Sequence, residues 1–230
     1  PFEFQKPGLR STWFVLAGVL IASAAGVWIF LNPASTRSAP GVDPDVRIGE
    51  HLLYKLAPQE TIRAAEHFER AIAGNAGSAG AHAGLAIALV YQSGLGVQLA
   101  GEVLPRAGEA ARKAVQLDPR SSAAHYALAI VLMMKDWNFP SAEAEFRRAL
   151  ELAPDSVQTR FGYAKLKMTT GDMAGAQRLV EEALRLDPAS PPLGVEYCRV
   201  FYYLRDYRRA ESECGKVLDR EPGYSLAHYY

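Results

Sequence analysis

The sequence is poor in the features that protein chemistry usually requires. Its 230 residues contain no Gly-rich phosphate loop, no His-Glu-x-x-His, no Cys-x-x-Cys and no Gly-x-Ser-x-Gly. Phosphate cradling, zinc hydrolysis, dithiol exchange and nucleophile-elbow hydrolysis therefore have no foothold. The carboxylates fall on expected helix faces beside cations, so the chain reads as non-enzymatic, with no cofactor and no metal site. An excess of either charge is also missing: 25 Lys and Arg stand against 25 Asp and Glu. A phosphate-binding surface needs a clear cationic excess, so no nucleic-acid partner is expected for this chain. Two cysteines are too few for a disulfide scaffold, and 49% apolar residues are too many for a disordered chain.

One stretch lacks charge altogether. Ser11 to Leu31, STWFVLAGVLIASAAGVWIFL, is 21 residues and as a helix would span roughly 31 Å, a bilayer-crossing length. Trp13 and Trp28 stand near its ends, where amphipathic rings favour the headgroup boundary. Lys6 and Arg10 precede it, while Arg37, Asp43 and Asp45 follow. That bias puts the N-terminal side in the cytoplasm and the remainder outside it. The expected order is a flank at 1–10, a transmembrane helix at 11–31 contacting the lipid bilayer, a linker at 32–44 rich in Pro, Ser, Ala and Gly, and a domain at 45–230. The expected location is a single-pass inner-membrane protein whose domain is extracytoplasmic. A cleaved signal peptide, with Ala22-Ser23-Ala24 as the cleavage site, and a buried helix are the alternatives. The chain opens on Pro1 with no Met before Met133, and so reads as a fragment whose preceding domain would carry any output activity.

Downstream, one pattern recurs. AVQLDP (Ala114 to Pro119), ALELAP (Ala149 to Pro154), ALRLDP (Ala183 to Pro188) and VLDREP (Val217 to Pro222) each place a small residue five positions before Pro, and AIAGNA from Ala71 is a weaker copy. The spacings are 43, 35, 34 and 34 residues, a period typical of stacked helical repeats. The nine extra residues of the first gap are expected as a loop over Tyr91 to Glu102, and the single extra residue of the second at Lys135 to Pro140.

This pattern resembles the tetratricopeptide repeat, a helix-turn-helix unit. Ala142, Phe146, Ala149 and Pro154 match its second-helix signature in full; Ala176, Ala183 and Pro188 match with Val180 in the aromatic slot, and Ala210 and Pro222 match with Cys214 there. The resemblance covers residues 45–230 and implies an all-α fold, an α-α superhelix of about five units truncated at its C-terminus, preceded by the single transmembrane helix. Anchor and array together look similar to the membrane segment and extracytoplasmic repeats of bacterial winged-helix one-component transcriptional regulators. Related arrays follow membrane Ser/Thr kinases and cyclases. The family's concave surface is lined by first-helix residues, which here would be Tyr91, Tyr126, Ile130, Met133, Met134, Phe161, Lys165, Met168, Arg199, Tyr202 and Tyr203. Met and aromatic side chains adapt to varied apolar partners, so a protein or peptide ligand is expected in this groove, with self-association also open. The carboxylate-gripping slots of chaperone-binding members hold Ala83, Tyr126, Phe161 and Val195 instead, so a chaperone-tail clamp is not expected.

His82, His125 and His228 fall in the family's Trp slot and are expected to pack between helices rather than share a metal. Cys198 and Cys214 lie on the two helices of one unit with an expected offset of half a turn, which favours buried thiols over a disulfide. The function expected is that of a membrane-anchored protein-interaction or sensor region of a signalling or transcription-regulating protein. A membrane-tethered assembly scaffold and the tail of a membrane kinase or cyclase are the alternatives.

Overall fold

Short polar side chains decide where the helices begin. The computed structural model describes residues 43–54 and 57–229. In that range ten α-helices and one 3-10 turn follow one another, with no strand among the described residues. They are α1 (Pro44–Tyr54), α2 (Pro58–Gly74), α3 (Ala79–Gly94), α4 (Ala100–Leu117), α5 (Ser122–Met134), α6 (Phe139–Leu152), α7 (Val157–Thr169), α8 (Met173–Leu186), α9 (Pro191–Tyr203) and α10 (Tyr207–Leu218). Each odd helix and the even one after it make a hairpin, and the five hairpins stack within one unit that begins at Asp43.

The Ser78, Ser121 and Ser156 hydroxyls accept the amides of Ala81, Ala124 and Thr159 at the starts of α3, α5 and α7. Each satisfies an amide that a helix start leaves without an intrahelical partner. Asn138, Asp172 and Asp206 do the same for α6, α8 and α10. Immediately before these three stand Trp137, Gly171 and Arg205, with φ of 51°, 84° and 62°. A left-handed residue ends the first helix and turns the chain back, and the next side chain caps the second. Gly171 does this freely, whereas Trp137 and Arg205 do it at a steric cost of roughly 1–2 kcal/mol each.

Small residues recur where helices must approach. Ala64, Ala107, Ala142, Ala176 and Ala210, one on each second helix, are at most 1% exposed. Four residues further on, the same face presents Phe68, Ala111, Phe146, Val180 and Cys214, all buried. The two Phe rings need room in the first helix of the next hairpin, and glycine supplies it. A Cβ on Gly84 would lie 2.2 Å from the Phe68 ring, and one on Gly162 would lie 3.0 Å from Phe146 and 2.8 Å from Tyr126. Gly49 of α1 approaches the same Phe68 ring, where a Cβ would lie at 2.6 Å. First helices α3, α5, α7 and α9 pack on their own second helix, on the preceding second helix and on neighbouring first helices. Accordingly α3 and α5 are apolar nearly all round, while the second helices keep a charged outer face.

Several expectations change. The nine-residue insertion is mostly helix: α3 has 16 residues and α4 has 18, against 13 and 14 in α5 and α6, leaving only residues 95–99 between α3 and α4. After the fifth hairpin, Ser225–His228 forms a 3-10 turn. Cys198 and Cys214 form a disulfide with Cα atoms 5.4 Å apart, which corrects the expectation of free thiols. The half-turn offset does not arise, because the pair fills the facing slots held by Ala129 and Phe146, and by Ala164 and Val180, in the two hairpins before.

The expected crossing at 11–31 and its flank at 1–10 lie outside the described residues, as does the linker up to residue 42. Among the described residues no helix is long and apolar enough to cross a membrane, and on this finding the expected inner-membrane location is withdrawn. The two most apolar helices, α3 and α5, reach only about 24 and 20 Å at 1.5 Å per residue, short of a hydrocarbon core of about 30 Å.

Candidate functional site

The expected groove residues lie on α3, α5, α7 and α9, but not all of them reach the surface. Tyr126, Ile130 and Met168 are buried, at 3%, 3% and 8% exposure. Tyr91 and Met133 are half-buried and pack against the same core. The Tyr91 and Tyr126 hydroxyls lie 3.0 Å apart, and burial raises both phenols, Tyr126 the further because Tyr91 is beside it. Tyr126 meets Phe146 edge-on at 6.0 Å, and Phe146 stacks on Tyr163 at 5.5 Å. These members therefore belong to the packed core.

Met134, Tyr202 and Tyr203 are exposed, and Phe161, Lys165 and Arg199 are half-buried. The Lys165 ammonium lies 4.2 Å from the Phe161 ring centre, a cation–π contact. Tyr202 meets Tyr203 and Tyr207 edge-on at 5.9 and 5.7 Å. The surface that remains is two cations among aromatic and Met side chains, running from α5 through α7 to α9.

One residue of this surface escaped the sequence reading. Glu196 is 3% exposed and accepts a hydrogen bond from the Arg199 guanidinium. Burial pushes its carboxyl up against the opposing pull of Lys165 and Arg199, and burial pulls the Lys165 ammonium down. A signal was available: Glu196 stands where the preceding hairpins have Gly84, Ala127 and Gly162, and an acid in a small-residue slot is out of pattern.

The histidines hold the frame. Nε2 of His82, His125 and His228 lies 3.1, 3.0 and 2.8 Å from the carbonyls of Ala76, Pro119 and Pro222. In each case the carbonyl is six residues back, in the turn that enters the first helix. Among the described residues no group of three or more His, Cys, Asp or Glu could hold a metal. A cleft of 610 Å³ between α2, α3 and α4 includes Arg106, Arg112, Lys113 and Glu69, and one of 210 Å³ lies at Pro188, Gly194 and Val217. Neither includes a groove residue named above.

Residues 138–194 match the tetratricopeptide repeat family. No curated protein matches the sequence. Among solved structures, a thermophilic repeat protein of this type, TTC0263 from Thermus thermophilus, is 18% identical, with 80% of this chain and 94% of that one covered at a TM-score of 0.65. YrrB, described as having an unusual peptide-binding site, is 20% identical over 81% of this chain and 89% of its own, with a TM-score of 0.52. The human IFIT1 dimer with m7Gppp-AAAA is 21% identical over 80% of this chain and 44% of its own, with a TM-score of 0.68. At these identities the likeness concerns the fold.

Proposed function

We propose that this chain, whose residues 138–194 match the tetratricopeptide repeat family, is a protein-interaction scaffold that holds an extended segment of a partner along α5, α7 and α9. The observation that carries this reading is the set of exposed and half-buried Met134, Phe161, Lys165, Tyr202 and Tyr203 on successive first helices. Apolar and aromatic side chains left on such an inner face cost solvation unless a partner covers them, and they tolerate varied partner side chains. The peptide-binding site ascribed to YrrB supports the same use of the fold. The capped RNA held by IFIT1 does not transfer, since 25 cations against 25 anions leave no excess for phosphates. A signalling or assembly role would depend on what the array is joined to, and it rests on the resemblance of the helix pattern alone.

The test uses the full chain and a display library of short random peptides. Selected peptides should bind, and Phe161→Ala and Tyr203→Ala should each weaken them several-fold without changing thermal unfolding. Peptides that bind equally well to both variants would place the site elsewhere.

A further inference from the structure

We propose that the inner face carries, between α7 and α9, a subsite for one side-chain carboxylate of the bound segment, an Asp or Glu next to an apolar residue. This deepens the reading above and rests on it.

Lys165 and Arg199 occupy the same place in successive hairpins, a place that Ile87 and Ile130 fill in the two hairpins before, at 5% and 3% exposure. The floor of the groove therefore turns from aliphatic to cationic halfway along. The two cations are not alike. Arg199 is engaged with Glu196. The Lys165 ammonium is held over Phe161 at 4.2 Å, and among the described residues it makes no hydrogen bond or ion pair. Cation–π attraction satisfies charge but no N–H, so three donors remain without an acceptor in a half-buried place.

Charge counting selects the ligand. The Lys165 ammonium carries one positive charge that no hydrogen-bonded anion answers. A carboxylate entering there gains a charge-assisted hydrogen bond and matches that single charge. A doubly charged phosphate would exceed it and set the surplus negative charge near the buried Glu196, which a partly desolvated site disfavours. The flanks are apolar: Phe161 lies beneath Lys165, and Tyr202 and Tyr203 lie one turn beyond Arg199 on the same face of α9. Exposed groove residues stand beside the pair, Met134 in the hairpin before Lys165 and Tyr203 one turn along α9 from Arg199. The subsite is assigned to a side-chain carboxylate within the bound segment, and the test below separates that from a chain end.

The experiment uses the full chain and random peptides fused to a carrier at both ends, so that no free terminus is offered. Selected peptides should share one acidic position beside an apolar one. Changing that acid to its amide should weaken binding about tenfold. The penalty should vanish on Lys165→Met, which keeps the stem over Phe161 and removes the donors. Arg199→Gln, which frees the Glu196 carboxylate, should weaken the acidic peptide more than the amide. Selected peptides without a shared acid, or an amide peptide that binds equally well, would overturn the subsite and leave the groove reading standing. Binding that needs a free C-terminal carboxylate would overturn it too. If no peptide binds at all, the groove reading itself falls.

Discussion

Gly84→Ala separates helix propensity from packing with opposite signs. Gly84 lies within α3, where Ala would ordinarily favour the helix by about 1 kcal/mol. Its missing Cβ, however, would sit 2.2, 2.3 and 2.6 Å from three atoms of the Phe68 ring. The ring has little retreat, because Gly49 crowds it as well and Phe68 is fully buried. Overpacking of this kind costs about 1–3 kcal/mol, and with the ring confined the upper end applies. Setting about 3 against about 1 leaves a net loss of about 2 kcal/mol, or about 4–8 °C in the unfolding temperature of a chain this long. Urea and thermal unfolding of the variant measure this, and hydrogen exchange should place the loss in α1 to α3. Gly215→Ala in α10 is the control, since nothing lies within 4 Å of its Cβ position; it should gain about 0.5–1 kcal/mol. Adding Phe68→Leu should recover part of the Gly84→Ala loss. If Gly84→Ala is as stable as Gly215→Ala, the close approach of α2 and α3 is refuted.

The remaining expectations concern turns, the disulfide and acid. Trp137→Gly and Arg205→Gly should each stabilise by about 1 kcal/mol in urea titrations, because both residues hold a positive φ at which a Cβ is strained. Thiol titration of the unfolded, unreduced chain should find no free thiol at Cys198 or Cys214, and reduction should destabilise the last hairpin by about 3 kcal/mol, the chain-entropy value for a loop of roughly this length. Glu143 accepts from Lys167, Tyr163 and Arg147, and the Lys167 hydrogen bond foremost lowers its carboxyl below the ordinary 4.5. Its folded value is depressed, so its stabilisation is present above pH 4.5 and lost as pH falls through that folded value. Glu143→Gln should therefore flatten the acid side of the stability profile, and an unchanged profile between pH 5 and pH 3 would refute this.

The repeat was legible because its cause is local. A small residue at a fixed offset from Pro can be read without coordinates, and Ala114, Ala149, Ala183 and Val217 are all buried. The cap serines follow the same spacing but carry a weaker compositional signal, and the left-handed Trp137 and Arg205 carry none, since neither residue type prefers that conformation. The groove was only half legible. A repeat position says which helix face a residue takes, but not whether a neighbour covers it, so Tyr126 and Ile130 appeared beside Tyr203 although only Tyr203 is open. The disulfide depended on the exact registration of two helices, which a count of turns does not provide.

The pairing of a large side chain in one hairpin with glycine in the next bears on how such an array can change over evolution. The matched positions read Phe68 with Gly84, Ala111 with Ala127, Phe146 with Gly162 and Val180 with Glu196. Each hairpin thus carries half of an address, and the other half sits on its successor. Deleting the hairpin of α7 and α8 would set Phe146 against Glu196, driving a ring onto a buried acid, whereas deleting the hairpin of α3 and α4 would set Phe68 against Ala127. The units share a backbone plan but are not exchangeable parts: their sequence along the chain is written into the sizes of their side chains, and gain or loss of a unit requires a compensating change in its neighbour.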